Sequence, residues 1–510
     1  GEPVSEATEV RVLFGPDALY VGARLWDSDP SGIRATMVRR DVESNFDYLI
    51  VHLDSRHDHN TGFAFTLTPS GAYQDMALGA DGGYDFGWDP VWDGAASMDD
   101  RGWSAEFKIP YSQLRFESTE DAVWGIQIQR GIARKQENAY FAFTPLEETA
   151  GPHRYGHLVG MGRLEEPSRL EILPYASTRS EHLNVAPGDP FRSNADQFFG
   201  AGVDLKYGIT ANLTLDATLN PDFGQVEADP AVVNLTQYES FFPEKRPFFV
   251  EGSEIFRFGF NGGGGHHGGP SLFYSRRVGR APQGRFAGID ARYTNTPEQS
   301  TIAGAMKLSG RMGDWSVGLL EATTLEEEGR YVTSQGEEGS VVMEPLSNYV
   351  VGRARRDFQD GAASVGGLLT AVNRDLGDPV LSDFLHSSAY VGGVDFIQNW
   401  NNREWYLTGT LAGSRVAGDP DAILTTQRSS ARYWQRPDAG HVELDPARTS
   451  MMGWQGNLTA GRRAGDHWLG SMGFNASSPG FEANDLGFST RVDTWGTDLS
   501  LQYRDVVPDD

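Results

Sequence analysis

The sequence predicts an all-β protein in two parts: a β-sandwich over residues 1–165, then a large antiparallel, transmembrane-type β-barrel over residues 168–510 with an inward-folded insertion at about 220–285. Three observations carry this reading. Short alternating segments broken by Gly, Pro, Asp and Asn fill the first third of the chain, and longer alternating segments fill the rest. Glycine is abundant at 61 residues and aromatics reach 11%, the composition of a β protein with many tight turns. At 510 residues the chain also exceeds one ordinary core, which leaves two domains or one very large barrel.

Composition excludes several functions. A formal charge of -27 argues against nucleic acid or an anionic lipid surface as partner, because either would be repelled over most of the surface. With no cysteine there is neither a disulfide scaffold nor thiol chemistry, although this does not fix the compartment. The longest nearly apolar run, Gly361 to Val372, falls short of the roughly 20 residues a spanning helix needs. That excludes helical spans only, since barrel strands alternate and leave mean hydropathy low. The chain opens at Gly1 in mid-pattern, so a processed or truncated product is expected, exported by a signal peptide that the chain lacks.

The first element is a hairpin: Val10, Val12 and Phe14 alternate, Gly15-Pro16-Asp17 turns, and Leu19, Val21, Ala23 and Leu25 alternate back. Strands follow at Tyr48 to Asp54, Gly62 to Thr68, Gly102 to Ile109, Val123 to Arg130 and Ala139 to Thr144. This spacing suits a sandwich. Asp54, His57, Asp58 and His59 stand just after a strand at spacings of a polar turn, without the i, i+4 histidine pair of a helical zinc site. Asp81, Asp85 and Asp89 recur every fourth residue, unlike the alternating ligands of an EF-hand; a solvated loop is expected, with calcium the one cofactor considered. No catalytic constellation emerges.

The segments LYVGARLWDSDP, Leu19 to Pro30, and VWDGAASMDDRGWSAEFKIPYSQLRF, Val91 to Phe116, resemble the family 9 carbohydrate-binding-module-like sandwich. The resemblance implies a glycan-binding face, and it puts the module's first strand before Gly1. Such modules lay aromatic rings on the apolar faces of sugars, which makes Tyr84, Trp88, Trp92 and Trp103 the candidates. A Trp beside a strand start is more often core, because a buried aromatic contributes so much area.

After Glu165-Glu166-Pro167 the strands lengthen. Phe199, Ala201, Val203, Leu205 and Tyr207 alternate with Gly202, Asp204 and Lys206; Trp405, Leu407 and Leu411 oppose Tyr406, Thr408 and Thr410; Trp495, Leu499 and Leu501 oppose Asp498, Ser500 and Gln502. Spans of about 9 to 11 residues match tilted strands crossing a bilayer. Aromatics near strand ends, Tyr390, Trp400, Trp405, Trp468, Trp495 and Tyr503, match interfacial girdles. Connections alternate too: those near Gly313, Asp360 and Gly465 are short, whereas Leu325 to Pro345 and Gly413 to Pro446 are long, polar and acidic. Roughly a dozen or more strands are expected, enclosing an interior too wide for wall side chains alone.

One stretch, FFPEKRPFFVEG from Phe241 to Gly252, belongs to no strand. Phe241, Phe242, Phe248 and Phe249 flank Glu244, Lys245, Arg246 and Glu251, while Pro243 and Pro247 deny regular pairing. Together with NPDFGQVEADPAVVNL, Asn220 to Leu235, and Phe474 to Phe488, it resembles bacterial outer-membrane proteins of unknown function in which a barrel follows a family 9 carbohydrate-binding-like module. That implies the bacterial outer membrane, contact with its lipid, and an oligo- or polysaccharide partner. The chain stops at Val507-Pro508-Asp509-Asp510 without a terminal aromatic strand, so an incomplete barrel is expected. The insertion is expected to fold into the lumen and pair with wall charges such as Arg353, Arg355 and Asp395, as a filter or as a plug. The alternative is an enzyme or enzyme-associated module acting on polysaccharide. The Gly262 to Gly269 run with His266 and His267 reads as a flexible loop tip in preference to a metal site.

Overall fold

The computed structural model describes residues 3–505 except 43, 80–82, 87, 117–119, 165–169, 183, 211, 222–232 and 260–270. Residues 8–158 form two antiparallel sheets. One is ordered Thr8–Phe14, Ala18–Trp26, Gly102–Pro110, Asp93–Asp99. The other is ordered Glu137–Tyr140, Trp124–Ile132, Tyr48–Asp54, Gly62–Leu67, Tyr73–Leu78, Tyr84–Asp85, with Gly156–Leu158 also on Trp124–Ile132. Alternation dictates the packing: Leu19, Val21 and Leu25 of one sheet and Leu49, Val51 and Leu53 of the other turn inward into one buried core.

Twelve further strands make a single antiparallel sheet in chain order: Leu170–Glu181, Asp196–Thr210, Leu213–Leu219, Ile302–Met312, Trp315–Thr324, Ser347–Phe358, Ala363–Arg374, Ser388–Trp400, Trp405–Ala417, Ser450–Arg462, Trp468–Ser477 and Thr494–Tyr503. Short turns join strands at one end, as at 313–314 and 401–404, and long connections occupy the other, as at 220–301 and 418–449. The expected loop from Leu325 to Pro345 contains a hairpin instead, Glu327–Thr333 with Glu338–Glu344, which pairs with Ala291–Asn295 as a separate three-stranded sheet. The Gly413 to Pro446 segment begins as strand and contains the helix Pro420–Arg428. Among the described residues no helix is long and apolar enough to cross a membrane, which says nothing of strands.

The two faces of this sheet differ in chemistry. Leu369, Val394, Leu411, Leu458, Met472 and Leu499 are exposed on the convex face. Nearer the short turns the same face exposes Trp315, Trp400, Trp405, Trp468 and Tyr503. The concave face carries Asp216, Lys307, Arg353, Asp395 and Thr408, all buried. Such an arrangement inverts a soluble protein and is that of a sheet with an apolar surround and a filled, polar interior.

Candidate functional site: the filled interior and its seam with the sandwich

What fills the interior is the insertion. Pro247 starts a one-turn helix, Pro247–Val250, at the position where its missing N–H costs nothing, and Gly252 ends it with φ 70° in the left-handed region. This local geometry drives Phe249 into the wall core beside Phe256, each only 4% exposed. Burying one such ring contributes about 1.5–3 kcal/mol. The wall makes room with glycines: a Cβ at Gly318 would meet the Phe256 ring at 2.8 Å, and one at Gly393 would meet Phe258 at 2.6 Å. Glycine on the inner face thus marks where the insertion sits.

Polar contacts fix the segment in place. Lys307 of the wall donates to the carbonyls of Phe248 and Glu251, each at 2.6 Å, and faces Asp216 at 3.4 Å. Lys206 donates to Glu251 at 2.5 Å. The Gly259 N–H reaches Asp395 at 2.9 Å, while Arg353 grips the same carboxylate with two bonds of 2.6 and 2.7 Å. Glu244 does not meet the wall as expected. It pairs with Arg246 at 2.7 Å and accepts from Ser275 Oγ at 2.6 Å, because the turn brings these partners closer than any strand. Arg246 stacks on Phe249 at 4.3 Å and donates to the carbonyls of Ser275 and Val278. Among the described residues Arg355 faces Asp357, at 3.4 Å, in place of the insertion. Lys245 and Phe242 are half-buried, and Phe241 is exposed on one side but stacks on Tyr274 at 4.9 Å.

The motif containing Phe488 joins this assembly from the long-connection end. Ser271 and Phe488 exchange backbone hydrogen bonds of 2.8 and 2.9 Å, and the Tyr274 N–H donates to the Leu486 carbonyl at 2.7 Å. Beneath it Asp485 accepts from Arg374 at 2.6 Å and from His386 Nδ1 at 2.8 Å, and His386 Nε2 lies 2.8 Å from Thr426 Oγ1. Burial alone would lower the His386 pKa, yet the Asp485 carboxylate outweighs burial and raises it. Asp485 is in turn held below the usual carboxylate range against its own burial.

At the other end the sandwich sits against the short turns. Asp58 accepts from the Asn60 and Thr61 N–H groups and pairs with Arg311 of the sheet. The cluster after Tyr48–Asp54 is therefore a docking turn. Arg403 donates to Asn60 Oδ1 at 2.9 Å, the Gly465 N–H to the Glu147 carbonyl at 2.6 Å, and Arg504 to the Leu146 carbonyl at 2.6 Å. A polar cavity of about 680 Å³ lies in this seam, lined by His59, His153, Gln359, Asn399, Asn402 and Arg403 among others. Burial and the nearby Arg403 push His153 down to about 4, so it is neutral at pH 7. The sandwich also reaches the insertion itself: Arg115 lies 3.6 Å from Glu251, and Asp85 lies 3.3 Å from Ser253 Oγ and 3.8 Å from Arg257.

The proposed sugar platform does not assemble. Trp103 is wholly buried, and Trp92 is buried with its Nε1–H donating to Asp75 at 3.2 Å; neither offers a ring face to a ligand. Trp88 is half-buried against Phe63 at 4.7 Å, which leaves Tyr84 exposed beside Phe86. Asp81 lies outside the described residues, as do His266 and His267. Asp85 and Asp89 are instead held by protein cations, Arg257 and Arg40. Sequence reasoning missed Lys206, Lys307, Arg115 and Arg311. Lys307 was detectable as the one lysine at an inward position of the Ile302–Met312 alternation.

A curled antiparallel sheet with an apolar outside and a charged, occupied inside defines the transmembrane-type β-barrel class. Within it, this chain belongs to the DUF5916 family, described as a domain of unknown function, whose model matches residues 166–510. No curated protein matches the chain in sequence. Among solved structures it is similar to OmpT, an outer membrane protein of Vibrio cholerae, with 10% identity over 66% of this chain and 96% of that one at a TM-score of 0.25. OprB of Pseudomonas putida gives 9% identity, 90% and 91% coverage and 0.25; OccAB3 of Acinetobacter baumannii gives 8%, 90% and 98%, and 0.23.

Proposed function

We propose that this protein spans the bacterial outer membrane and serves uptake at the cell envelope through a passage that its own insertion closes at rest. The observation that carries the membrane reading is the convex face, where exposed leucines and tryptophans such as Leu369, Leu411, Trp405 and Trp468 form a band no soluble protein maintains. Short turns are periplasmic in such barrels, so the sandwich docked on them is periplasmic and covers the inner mouth. Release requires the insertion to leave both the wall, at Lys206 and Lys307, and the sandwich, at Arg115.

An oligosaccharide as the cargo rests on the resemblance of residues 1–165 to carbohydrate-binding modules; Tyr84 with Phe86 is the aromatic pair left to stack on it. Polysaccharide hydrolysis has less support, because the inner-wall acids Asp216, Asp357 and Asp395 are each engaged by a cation. Fractionation tests the membrane reading: the protein is expected with the outer membrane and to show heat-modifiable migration. Release into the soluble fraction without that behaviour would refute it. Bilayer conductance tests the closure, with a quiet wild type and frequent openings when residues 244–258 are replaced by a glycine-serine linker.

A further inference from the structure

Four charged residues point outward from the twelve strands, and three are engaged. Glu321 accepts from Thr323 at 2.9 Å and from Asn348; Arg356 faces Asp314 at 3.7 Å; Arg462 donates to Glu404 at 2.5 Å. The fourth is Arg415. It is exposed, and among the described residues it has no hydrogen bond or ion pair. It stands two residues from the end of Trp405–Ala417, at the long-connection end, directly opposite Tyr390 on one neighbouring strand and Met452 on the other.

Directly beneath it the convex face is hollowed. Leu319, Gly352, Leu369, Gly392 and Gly413 lie side by side across five successive strands, and the missing side chains open an apolar groove of about 630 Å³ that Arg415 borders. Nothing lies within 4 Å of where a Cβ at Gly352 would stand, and only the Gly453 carbonyl, at 3.7 Å, approaches one at Gly413. Close packing of the wall does not demand glycine at Gly352 or Gly413, and at Gly392 a Cβ would meet only the tip of the exposed Leu369 side chain, at 2.9 Å. An unpaired cation at the membrane–water boundary above a dry trough is complementary to one kind of molecule: an acyl chain carrying a phosphate.

We propose that this groove binds a phosphorylated glycolipid of the outer leaflet, an acyl chain lying over Gly352, Gly392 and Gly413 and a headgroup phosphate on Arg415. The proposal rests on the membrane reading above and adds a specific lipid position to it. The formal charge of -27 does not oppose it. Charges more than about 10 Å away are screened, and the outward-facing set is three arginines and one glutamate.

The test is reconstitution of the full chain into nanodiscs of phosphatidylethanolamine doped with lipid A, dephosphorylated lipid A or phosphatidylglycerol, with lipid retained after detergent extraction measured by native mass spectrometry. Lipid A is expected to be retained by the wild type, about tenfold less by Arg415→Gln. Gly413→Leu, which fills the trough without touching the cation, is expected to displace it as well. Arg356→Gln is expected to retain it. Equal retention of dephosphorylated lipid A, preference for phosphatidylglycerol, or retention unchanged in Arg415→Gln would overturn the site. Failure to enter any nanodisc would overturn the membrane reading and this inference with it.

Discussion

Arg353 and Asp395 form a two-pronged ion pair on the inner wall, with bonds of 2.6 and 2.7 Å, and the same carboxylate receives the Gly259 N–H of the insertion. The pair is almost wholly buried. Removing one member strands the other charge, a loss of about 3–5 kcal/mol. Asp395→Asn is therefore expected to lower the temperature at which the folded band is lost on a heat-modifiability gel. Replacing both residues with apolar ones of similar volume should recover most of that loss. An unaltered melting temperature in Asp395→Asn would show that the pair does not hold the wall.

Lys307 tests closure separately from stability. It contributes two charge-assisted bonds to insertion carbonyls and sits over the Phe248 ring at 4.9 Å. Lys307→Met keeps the stem and removes the charge, weakening docking by a few kcal/mol and raising open-channel events by about tenfold or more. The readout is single-channel recording. Conductance indistinguishable from wild type would assign the insertion a purely structural part.

The seam makes its own prediction. Arg311 is shared between Asp58 of the sandwich and Asp357 of the sheet, the latter at 3.1 Å. Asp58→Asn removes the cross-seam charge and loosens the docking turn that its carboxylate caps. The sandwich should then be released by limited proteolysis about five to tenfold faster, while the sheet stays intact. Cleavage at the wild-type rate would show that the other contacts, among them Arg403, Arg504 and the Gly465 N–H, hold the seam without Asp58.

Acidity should tighten the long-connection end. The folded pKa of His386 is raised above its ordinary 6.5, so the stabilisation it supplies is complete below that value and is lost as pH rises through the folded pKa. Asp485, with its pKa lowered, supplies stabilisation above its ordinary 3.8 that is lost only as pH falls through the folded value. Connections 375–387 and 478–493 should resist protease best between these limits and open in alkali. NMR titration of the His386 ring measures it, and a midpoint at or below 6.5 would contradict the clasp.

The aromatic residues of the sandwich separate by burial. Trp103→Ala empties a core site and should destabilise residues 8–158 by about 3–5 kcal/mol, seen in thermal unfolding. Tyr84→Ala should leave stability within about 0.5 kcal/mol and abolish whatever glycan-array signal the protein gives. If Tyr84→Ala binds glycans as the wild type does, the exposed pair is not a sugar platform.

Alternation by itself determined the all-β class and the inward and outward faces of strands such as Trp405–Ala417, and connection lengths determined the short and long ends. The prolines and charges of FFPEKRPFFVEG, which lipid could not satisfy, determined its inward path. Those follow from a period of two and from backbone chemistry, both local in sequence. The partners of the insertion were decided only by the tertiary structure. Lys206 and Lys307 reach Glu251 and its neighbours across 45 and 56 positions of chain, and Arg115 across 136, a juxtaposition set by sheet curvature and not by any local pattern. The same holds for Trp103 and Tyr84: both are aromatics near strands, and only the packing of one sheet on the other decides which has a free face.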